Sequence, residues 1–194
     1  MKFTPGKSGL TILELLVATL IGTLTFLVLF YVSFTIQDSI NISSGILGIT
    51  ETGRFAVSRI SNDTREAKAV KSSYGSYSSN DTTLILEIPV VNVNGTVTGY
   101  DTVIYALDAG DPTKLRHVVY ASAGSSRQNI SEIIAEDIKT LLFSSGGAGL
   151  SSVTYKNAIR ILTVKITVAK TIVGLERLNE VTTSASLRNR KIGL

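Results

Sequence analysis

The most strongly patterned stretch of the chain is an apolar run near its start. From Gly9 to Gln37 the residues are almost all hydrophobic or small, and the 22 residues from Leu15 to Ile36 include no charge. At a helical rise of about 1.5 Å per residue, this uncharged segment measures roughly 33 Å, which is enough to cross the ~30 Å hydrocarbon core of a bilayer. The pattern predicts a membrane-spanning helix at residues 10–37.

Helical spacing continues after the apolar run. Hydrophobic residues recur at steps of three or four as far as Ala67, and charged residues occupy the other face. We therefore expect residues 38–70 to be the amphipathic half of one long N-terminal helix. Glu51 and Arg54 are spaced to form an ion pair on its polar face.

Three glycines lie within this amphipathic half, at positions 45, 48 and 53. Each glycine costs a helix about 1 kcal/mol relative to alanine. Their presence predicts a kink or a short melted turn at residues 43–53.

The middle of the chain changes from a helical period to a strand period. Residues 72–81 are polar apart from two tyrosines and predict a flexible surface loop that ends the helix. Residues 83–93 are rich in β-branched side chains and precede Asn94-Gly95, a strong signal for a two-residue β-hairpin turn. We expect residues 96–107 to return as the second strand.

Further strands are expected in the C-terminal half. A turn at residues 108–112 leads to a third strand at 114–121. The segment 131–137 begins with a candidate N-cap, Ser131, and has two acids suited to a first helical turn. It predicts a brief helix, followed by a strand at 138–144.

The last two predicted strands come after a glycine-rich loop at 146–149. Residues 158–170 alternate between apolar and polar side chains, and residues 179–191 form the closing strand. The alternation places five apolar residues largely inward, namely Ile159, Ile161, Val164, Ile166 and Val168. The sequence thus predicts an α+β fold, with a β-rich domain of about six antiparallel strands at residues 71–194.

Composition narrows the function classes. The 194 residues leave room for one anchored domain, and the absence of cysteine excludes disulfides, thiolate metal sites and cysteine nucleophiles. The net charge is +4, and Lys2 and Lys7 precede the apolar run. The positive-inside rule places these two lysines on the cytoplasmic side, so the chain beyond the span lies outside.

Glu14 is the chemically unusual residue of the apolar run. A carboxylate at the start of a membrane helix is costly and needs a cationic partner. If the chain were cut after Gly9, the new amine of Leu10 would lie one helical turn from Glu14. Between neighbouring helices, that amine could neutralise the glutamate and set the register of an assembly.

The residues around Glu14 resemble the class III prepilin signal of type IV pilins and type II secretion pseudopilins. The resemblance covers the basic leader MKFTPGKSG, the junction at Gly9, Thr11 and the motif GLTILELLVATLIG. It implies that a prepilin peptidase removes residues 1–9 and that the new N-terminal residue, Leu10, is N-methylated. It also implies a pilin-like fold in which Thr11, Leu13 and Glu14 take part in assembly with other pilin or pseudopilin subunits.

A second stretch, TGRFAVSRISNDTREAKAV, is similar to the corresponding part of the larger W-type minor pilins and of J-type pseudopilins. The matching positions are Arg54, Phe55, Asp63, Arg65 and Ala67. This resemblance implies a minor pilin or pseudopilin in a cell-surface pilus or a periplasmic pseudopilus. The protein would begin as a single-pass protein of the cytoplasmic membrane.

Basic residues accumulate near the C-terminus and leave a second interpretation open. Such a cluster favours phosphate or anionic surfaces, although the solvated face of a strand explains it equally well. One alternative function is therefore a module at the tip of a pilus that captures DNA or a surface. The other is a membrane-tethered binding domain that does not assemble. The residues concerned are Arg160, Lys165, Lys170, Arg188, Arg190 and Lys191.

No motif for catalysis or cofactor binding is found in the sequence. His117 is the only histidine and falls in the predicted strand 114–121, so it is interpreted as a strand-face residue. Asp101, Asp108 and Asp111 do not have the spacing of an EF-hand loop. We expect no enzymatic activity, cofactor, metal or small-molecule substrate.

Overall fold

The computed structural model describes residues 11–188. One long helix, α1, runs from Ile12 to Glu66, and most of the described residues after it form antiparallel strands. The chain divides into two compact units whose boundary lies inside α1, between Ser44 and Gly45. The C-terminal part of α1 packs against β-sheets, so the fold is α+β with a pilin-like arrangement.

In the first unit, the described residues form the apolar part of α1. This helix is long and apolar enough to cross a membrane, and none of its most apolar stretch is buried. Its hydroxyl side chains fold back onto the helix: Thr23 donates to the carbonyl of Thr19, and Ser33 donates to that of Leu29. Such bonds satisfy hydroxyl groups where no water is available.

The described residues of the second unit, 45–188, form eleven strands. Their bounds are β1 (Ala69–Val70), β2 (Ser73–Tyr74), β3 (Tyr77–Ser78), β4 (Thr83–Val91), β5 (Val97–Leu107), β6 (Leu115–Tyr120), β7 (Ile130–Ala135), β8 (Ile138–Ser145), β9 (Ala148–Gly149), β10 (Ile161–Ile172) and β11 (Leu175–Ser186). Short 3₁₀ turns occupy Leu150–Ser152 and Lys156–Ala158.

The strands form two main sheets instead of one. The first has the order β1-β4-β5-β6-β7 and the second has the order β11-β10-β8-β9, while β2 and β3 form a small separate hairpin. All the pairings are antiparallel. The predicted antiparallel β-rich domain is therefore confirmed, and its long strands are divided between two sheets.

The main core lies where α1 meets both sheets. Ile49, Ala56 and Ile60 of α1 are buried in one cluster with Leu86 of β4 and Phe143 of β8. The buried helix positions are spaced by three and four residues, as the amphipathic pattern predicted. Burial of each large apolar side chain stabilises the fold by about 1.5–3 kcal/mol.

The glycines of α1 do not melt the helix. Helical structure is continuous through residues 43–53, so the predicted melted turn is wrong. Two of the glycines instead allow strands to approach: a Cβ at Gly45 would overlap the side chain of Ile172, and one at Gly53 would lie 3.1 Å from that of Val181. Packing against β10 and β11 compensates for the low helix propensity of glycine.

The prediction of a flexible loop at residues 72–81 is also wrong. The β2–β3 hairpin occupies this segment, and Tyr77 packs on a second apolar cluster that includes Ile85 and Ile104. The ring of Tyr74 lies 5.0 Å from that of Tyr120. The tyrosines therefore cover the outer face of the five-stranded sheet.

The predicted turn at Asn94-Gly95 is longer than two residues. The backbone N–H of Gly95 donates to the carbonyl of Asn92, and the N–H of Asn92 donates to the carbonyl of Thr96, both at 2.9 Å. Gly95 has a φ of +79°, which fits a three-residue loop closed by a glycine bulge. The side chain of Asn92 accepts two further backbone bonds and stabilises this alternative.

The brief helix predicted at 131–137 is absent from the structure. Residues Ile130–Ala135 form β7, which pairs along β6, and β8 then begins at Ile138 as expected. Pairing with a neighbouring strand outweighs the local helix signals of Ser131 and the two acids.

One inward assignment in β10 is wrong. Ile161 is 56% exposed, whereas Leu162, Val164, Ile166 and Val168 are buried. Ile159 is buried too, but it precedes the strand. Ile161 therefore lies on the outer face of β10, and inward-facing residues alternate along the strand from Leu162 onward.

A matched pair of glycine substitutions tests the packing of α1. Gly53→Leu would force a side chain against Val181 and Val168, and we expect it to lower the free energy of unfolding by about 1–3 kcal/mol. Gly48→Leu enters open space and should stabilise the protein by up to ~1 kcal/mol through helix propensity. Thermal unfolding of the detergent-solubilised protein measures both, and equal effects of the two variants would contradict this packing.

Candidate functional site

The start of α1 is held by reciprocal hydrogen bonds between Thr11 and Glu14. Glu14 Oε2 accepts bonds from the backbone N–H and the hydroxyl of Thr11, both at 2.9 Å. The hydroxyl oxygen of Thr11 accepts the backbone N–H of Glu14 at 3.3 Å. This arrangement is a capping box, which satisfies free N–H groups at a helix start.

The sequence pattern of a capping box is present at residues 11–14, although no capping box was predicted there. A threonine followed three positions later by glutamate, just before an apolar run, is the signature of a capping box. Glu14 Oε1 receives no hydrogen bond from the described residues, so the carboxylate retains capacity for a cation. Leu13 is 71% exposed beside it, whereas Gly9 and Leu10 lie outside the described residues.

The apolar surface after Glu14 is open over its whole length. Leu20, Leu24 and Phe26 are between 55% and 67% exposed. The rings of Phe30 and Phe34 meet edge to face, with centroids 4.6 Å apart. A surface of this size requires lipid or protein around it, because soluble monomers rarely expose more than a few hundred Å² of contiguous apolar area.

A partly buried polar network joins the second half of α1 to the five-stranded sheet. We call it the junction cluster. Its members are Arg59, Asp63, Glu66, Asp101, Tyr105, His117, Arg127 and Glu132. These residues come from α1, β5, β6, β7 and the loop before β7, so the cluster ties several parts of the fold together.

Asp63 is the centre of the junction cluster. The hydroxyl of Tyr105 donates to its Oδ2 at 2.5 Å, and Arg127 Nη1 lies 3.4 Å from its Oδ1. Burial opposes the charged form of Asp63, but the imidazole of His117, the hydroxyl of Tyr105 and the charge of Arg127 together hold its pKa below the ordinary value. Burial and the charge of Asp63 raise the pKa of Tyr105, so its hydroxyl stays protonated as a donor.

His117 lies between two carboxylates and is only 2% exposed. Its Nδ1 is 3.3 Å from Glu132 Oε1, and its Nε2 is 3.7 Å from Asp63 Oδ2, beyond hydrogen-bond distance. The ring packs on Tyr105 with centroids 4.9 Å apart. The strand position was predicted, but the buried ionic setting was not. The contacts are those of a structural network between helix and sheet.

The four described residues of the set proposed for DNA or surface contact do not form one patch. Lys165 pairs with Glu180 at 2.8 Å, and Lys170 lies ten positions after Arg160 along the same chain segment, roughly 33 Å away at strand rise. Arg188 is close to Arg160, because the N–H of Leu187 donates to the carbonyl of Arg160. Arg190 and Lys191 lie outside the described residues.

The described residues offer no group of three or more His, Asp or Glu side chains arranged to hold a metal ion. Comparisons of the chain with protein-family models and with curated proteins find no match. Function is therefore inferred from the residues and their geometry.

The pKa of Asp63 predicts a specific response to acid. Because its folded pKa is depressed, Asp63 contributes stability that is complete above the unfolded pKa of about 3.9 and is lost as the pH falls through the folded value. Asp63→Asn should lower the free energy of unfolding at pH 7 by about 2 kcal/mol or more, since Arg127 loses its anionic partner and one amide oxygen cannot replace both carboxylate oxygens. The acid-induced loss of stability below pH 4 should become shallower in this variant.

The control for this measurement is Glu66→Gln. Glu66 also pairs with Arg127, but its side chain is 60% exposed, so its removal should cost less than about 1 kcal/mol. Thermal unfolding across pH 3–8 compares the two variants with the parent protein. An unchanged acid profile in Asp63→Asn would show that Asp63 is not the stabilising carboxylate.

Proposed function

We propose that this protein is a structural subunit of a helical filament, of the type IV pilus or type II secretion class, and that it assembles from the membrane through α1. The observation that carries this proposal is the open apolar surface of α1 with a single carboxylate, Glu14, in its first turn. The prepilin-like residues around Glu14 support it. Within this class, the strand-rich second unit favours a minor pilin or pseudopilin.

The carboxylate distinguishes this proposal from a simple membrane anchor. An anchor needs only apolar length, whereas Glu14 adds a charge at the edge of the bilayer, where an unpaired ion is unfavourable. Transfer of α1 from lipid to a bundle of like helices removes water from Glu14 still further. An amine supplied by a neighbouring chain would compensate for this charge and align the two helices.

The role of each residue follows from this chemistry. A prepilin peptidase cleaves between Gly9 and Leu10, and the freed and methylated amine of Leu10 pairs with Glu14 of the next subunit. Thr11 orients the carboxylate through the capping box, and Leu13 begins the apolar contact surface. Before assembly, the protein is a single-pass protein of the cytoplasmic membrane with residues 38–194 outside.

DNA or surface capture stays a separate prediction. The four of its basic residues that the structure describes are dispersed, and one of them, Lys165, pairs with Glu180. No feature of the described residues favours capture over the filament role.

Neutralisation of Glu14 tests the filament proposal. Glu14→Gln retains an amide oxygen for the capping box but removes the charge, so the helix should form while assembly fails. We expect filament recovered by shearing to fall at least ten-fold, the factor that corresponds to about 1.4 kcal/mol, with unchanged protein in the membrane. Asp38→Asn is the matched control, since it removes another exposed acid of α1. Equal filament recovery from Glu14→Gln and the parent would reject the proposed role of Glu14.

The N-terminus of the protein in its native host supplies an independent test. Intact mass spectrometry should find a chain that begins at Leu10 and carries one added methyl group. A chain that retains Met1 and occurs only in membranes would instead indicate a tethered domain.

A further inference from the structure

The hairpin that joins β10 to β11 reaches the end of the second unit where that unit begins. Two glycines of α1 show its course, since Gly53 is close to Val168 of β10 and Gly45 is close to Ile172 at the end of the same strand. β10 therefore follows α1 back from Gly53 to Gly45, the first residue of the unit. The turn that comes directly after Ile172 lies at this end.

The turn of this hairpin has an unfavourable residue at its first position. Val173 and Gly174 have φ angles of +50° and +74°, the combination that a type I′ turn requires. A positive φ is strained for a β-branched residue, and Asn, Asp or Gly is the usual choice at this position. The side chain of Val173 is 54% exposed, so burial among the described residues does not compensate for the strain. Strain of this kind often accompanies a functional contact.

The strained turn presents apolar side chains to its surroundings. Leu175, the first residue of β11, is 58% exposed and lies two positions from Val173. We call these two residues the apolar tip. Ile46 and Leu47, which follow Gly45 in α1, add exposed apolar surface at the same end of the unit. A group of exposed apolar residues indicates a contact with lipid or with protein.

The chain ties this end of the second unit to any bilayer that α1 crosses. The uncharged run ends at Ile36, nine residues before Gly45. Nine residues measure about 14 Å as a helix and about 30 Å at most as an extended chain. The headgroup layer extends roughly 5–7 Å beyond the hydrocarbon core. In any arrangement of the two units, the end that includes Gly45 is thus the end connected to the bilayer surface.

Two unpaired cations lie behind the apolar tip. Lys170 and Arg177 are direct partners in the register of β10 and β11, where like charges oppose each other. Over residues 11–188, neither forms an ion pair within 4 Å, and the buried Nε of Arg177 has no hydrogen-bond partner. Glu176 is already paired with Lys139 at 2.7 Å, and Glu51 lines a groove with Lys170 without pairing to it. An external anion between the two cations would relieve their repulsion.

We propose that the β10–β11 hairpin contacts the surface of a bilayer that contains anionic phospholipid. Val173 and Leu175 enter the boundary between headgroups and acyl chains, and Lys170 and Arg177 bind the lipid phosphates. A lipid contact also accounts for an apolar residue where the turn favours asparagine. The inference goes beyond the filament role and applies before assembly, and it rests on the part of the proposed function that places α1 in a membrane.

A single fluorescent label can test the contact in the full-length protein, because the chain has no cysteine. Thr171→Cys, at an exposed position beside the turn, carries the label, and the protein is reconstituted in vesicles of zwitterionic phospholipid with or without phosphatidylglycerol. Lipids with a nitroxide on the headgroup should quench this label, and more strongly when phosphatidylglycerol is present. Equal quenching in the two kinds of vesicle would overturn the binding of anionic headgroups.

The control label is placed at the other end of the second unit. Asn94→Cys lies beside Gly95, which lines a cavity with Glu66, the last residue of α1. Glu66 is about 32 Å from Gly45 along the helix. This label should stay unquenched, and quenching equal to that of Thr171→Cys would overturn a contact made by the hairpin.

Val173→Asn separates lipid contact from a role in folding. Asn-Gly is a preferred sequence for a type I′ turn, so the thermal unfolding midpoint should rise. Contact with lipid should nevertheless weaken roughly ten-fold, the loss expected for one large apolar side chain. Val93→Asn is the matched control, because Val93 is fully exposed in the β4–β5 loop and its replacement should leave the quenching unchanged. A Val173→Asn protein that is quenched like the parent would overturn the apolar contact.

Lys170→Gln with Arg177→Gln tests the headgroup contact. Each cation near an anionic surface contributes about five-fold, so the double variant should weaken the contact roughly 25-fold and remove its dependence on phosphatidylglycerol and salt. The unfolding midpoint should not fall, because two opposed like charges are removed. Lys165→Gln is the control, since Lys165 is a cation of the same strand that already pairs with Glu180. Retained dependence on phosphatidylglycerol in the double variant would overturn the assignment of these cations.

A label at Leu24→Cys distinguishes failure of this inference from failure of the proposed function. Lipids with a nitroxide in the acyl chain should quench this label if α1 spans the bilayer. Quenching at Leu24 but not at Thr171 would reject the hairpin contact and leave the filament role intact, whereas quenching at neither position would reject both. A Thr171 label that is shielded only in sheared filaments would show a protein partner and would overturn the lipid contact.

Discussion

The incompatibility of the first half of α1 with water is the constraint on which the rest of the molecule depends. Its apolar side chains are exposed along residues 12–36, and each large one would gain about 1.5–3 kcal/mol from burial. The described residues do not supply that burial, since these side chains are exposed. An apolar surface of this kind is stable only with lipid or protein around it.

The part of α1 that lies in the second unit is amphipathic, and it packs against the sheets. One stripe of α1 enters the core, and glycines at positions 45 and 53 let β10 and β11 lie close to the helix. The junction cluster then fixes α1 to the five-stranded sheet through Asp63. Apolar contact supplies most of the stabilisation, and the partly buried ionic network adds polar contacts between α1 and the sheet.

Outside the core stripe, the second half of α1 carries exposed charged residues. Over residues 11–188, Glu51, Arg54 and Arg65 form no ion pair within 4 Å, so the pairing of Glu51 with Arg54 expected from the sequence does not occur. Exposed charges of this kind interact with water and contribute little to the stability of the fold.

Local patterns in the sequence determined the apolar span, the amphipathic continuation of α1 and the sites of most strands. These features depend on the period of neighbouring side chains, which the chain itself displays. The short hairpin at 73–78 and the strand at 130–135 were missed, because their form is decided by Tyr77 packing on Ile85 and by pairing with β6. Local composition at both places favours other structures.

The same division applies to the candidate sites. Glu14 could be recognised from the sequence, since a lone acid in an apolar run is conspicuous without any tertiary information. The junction cluster could not, because Asp63 is 42 positions from Tyr105 and 64 from Arg127. Such residues come together only when the chain folds, because the sequence separations between them are large.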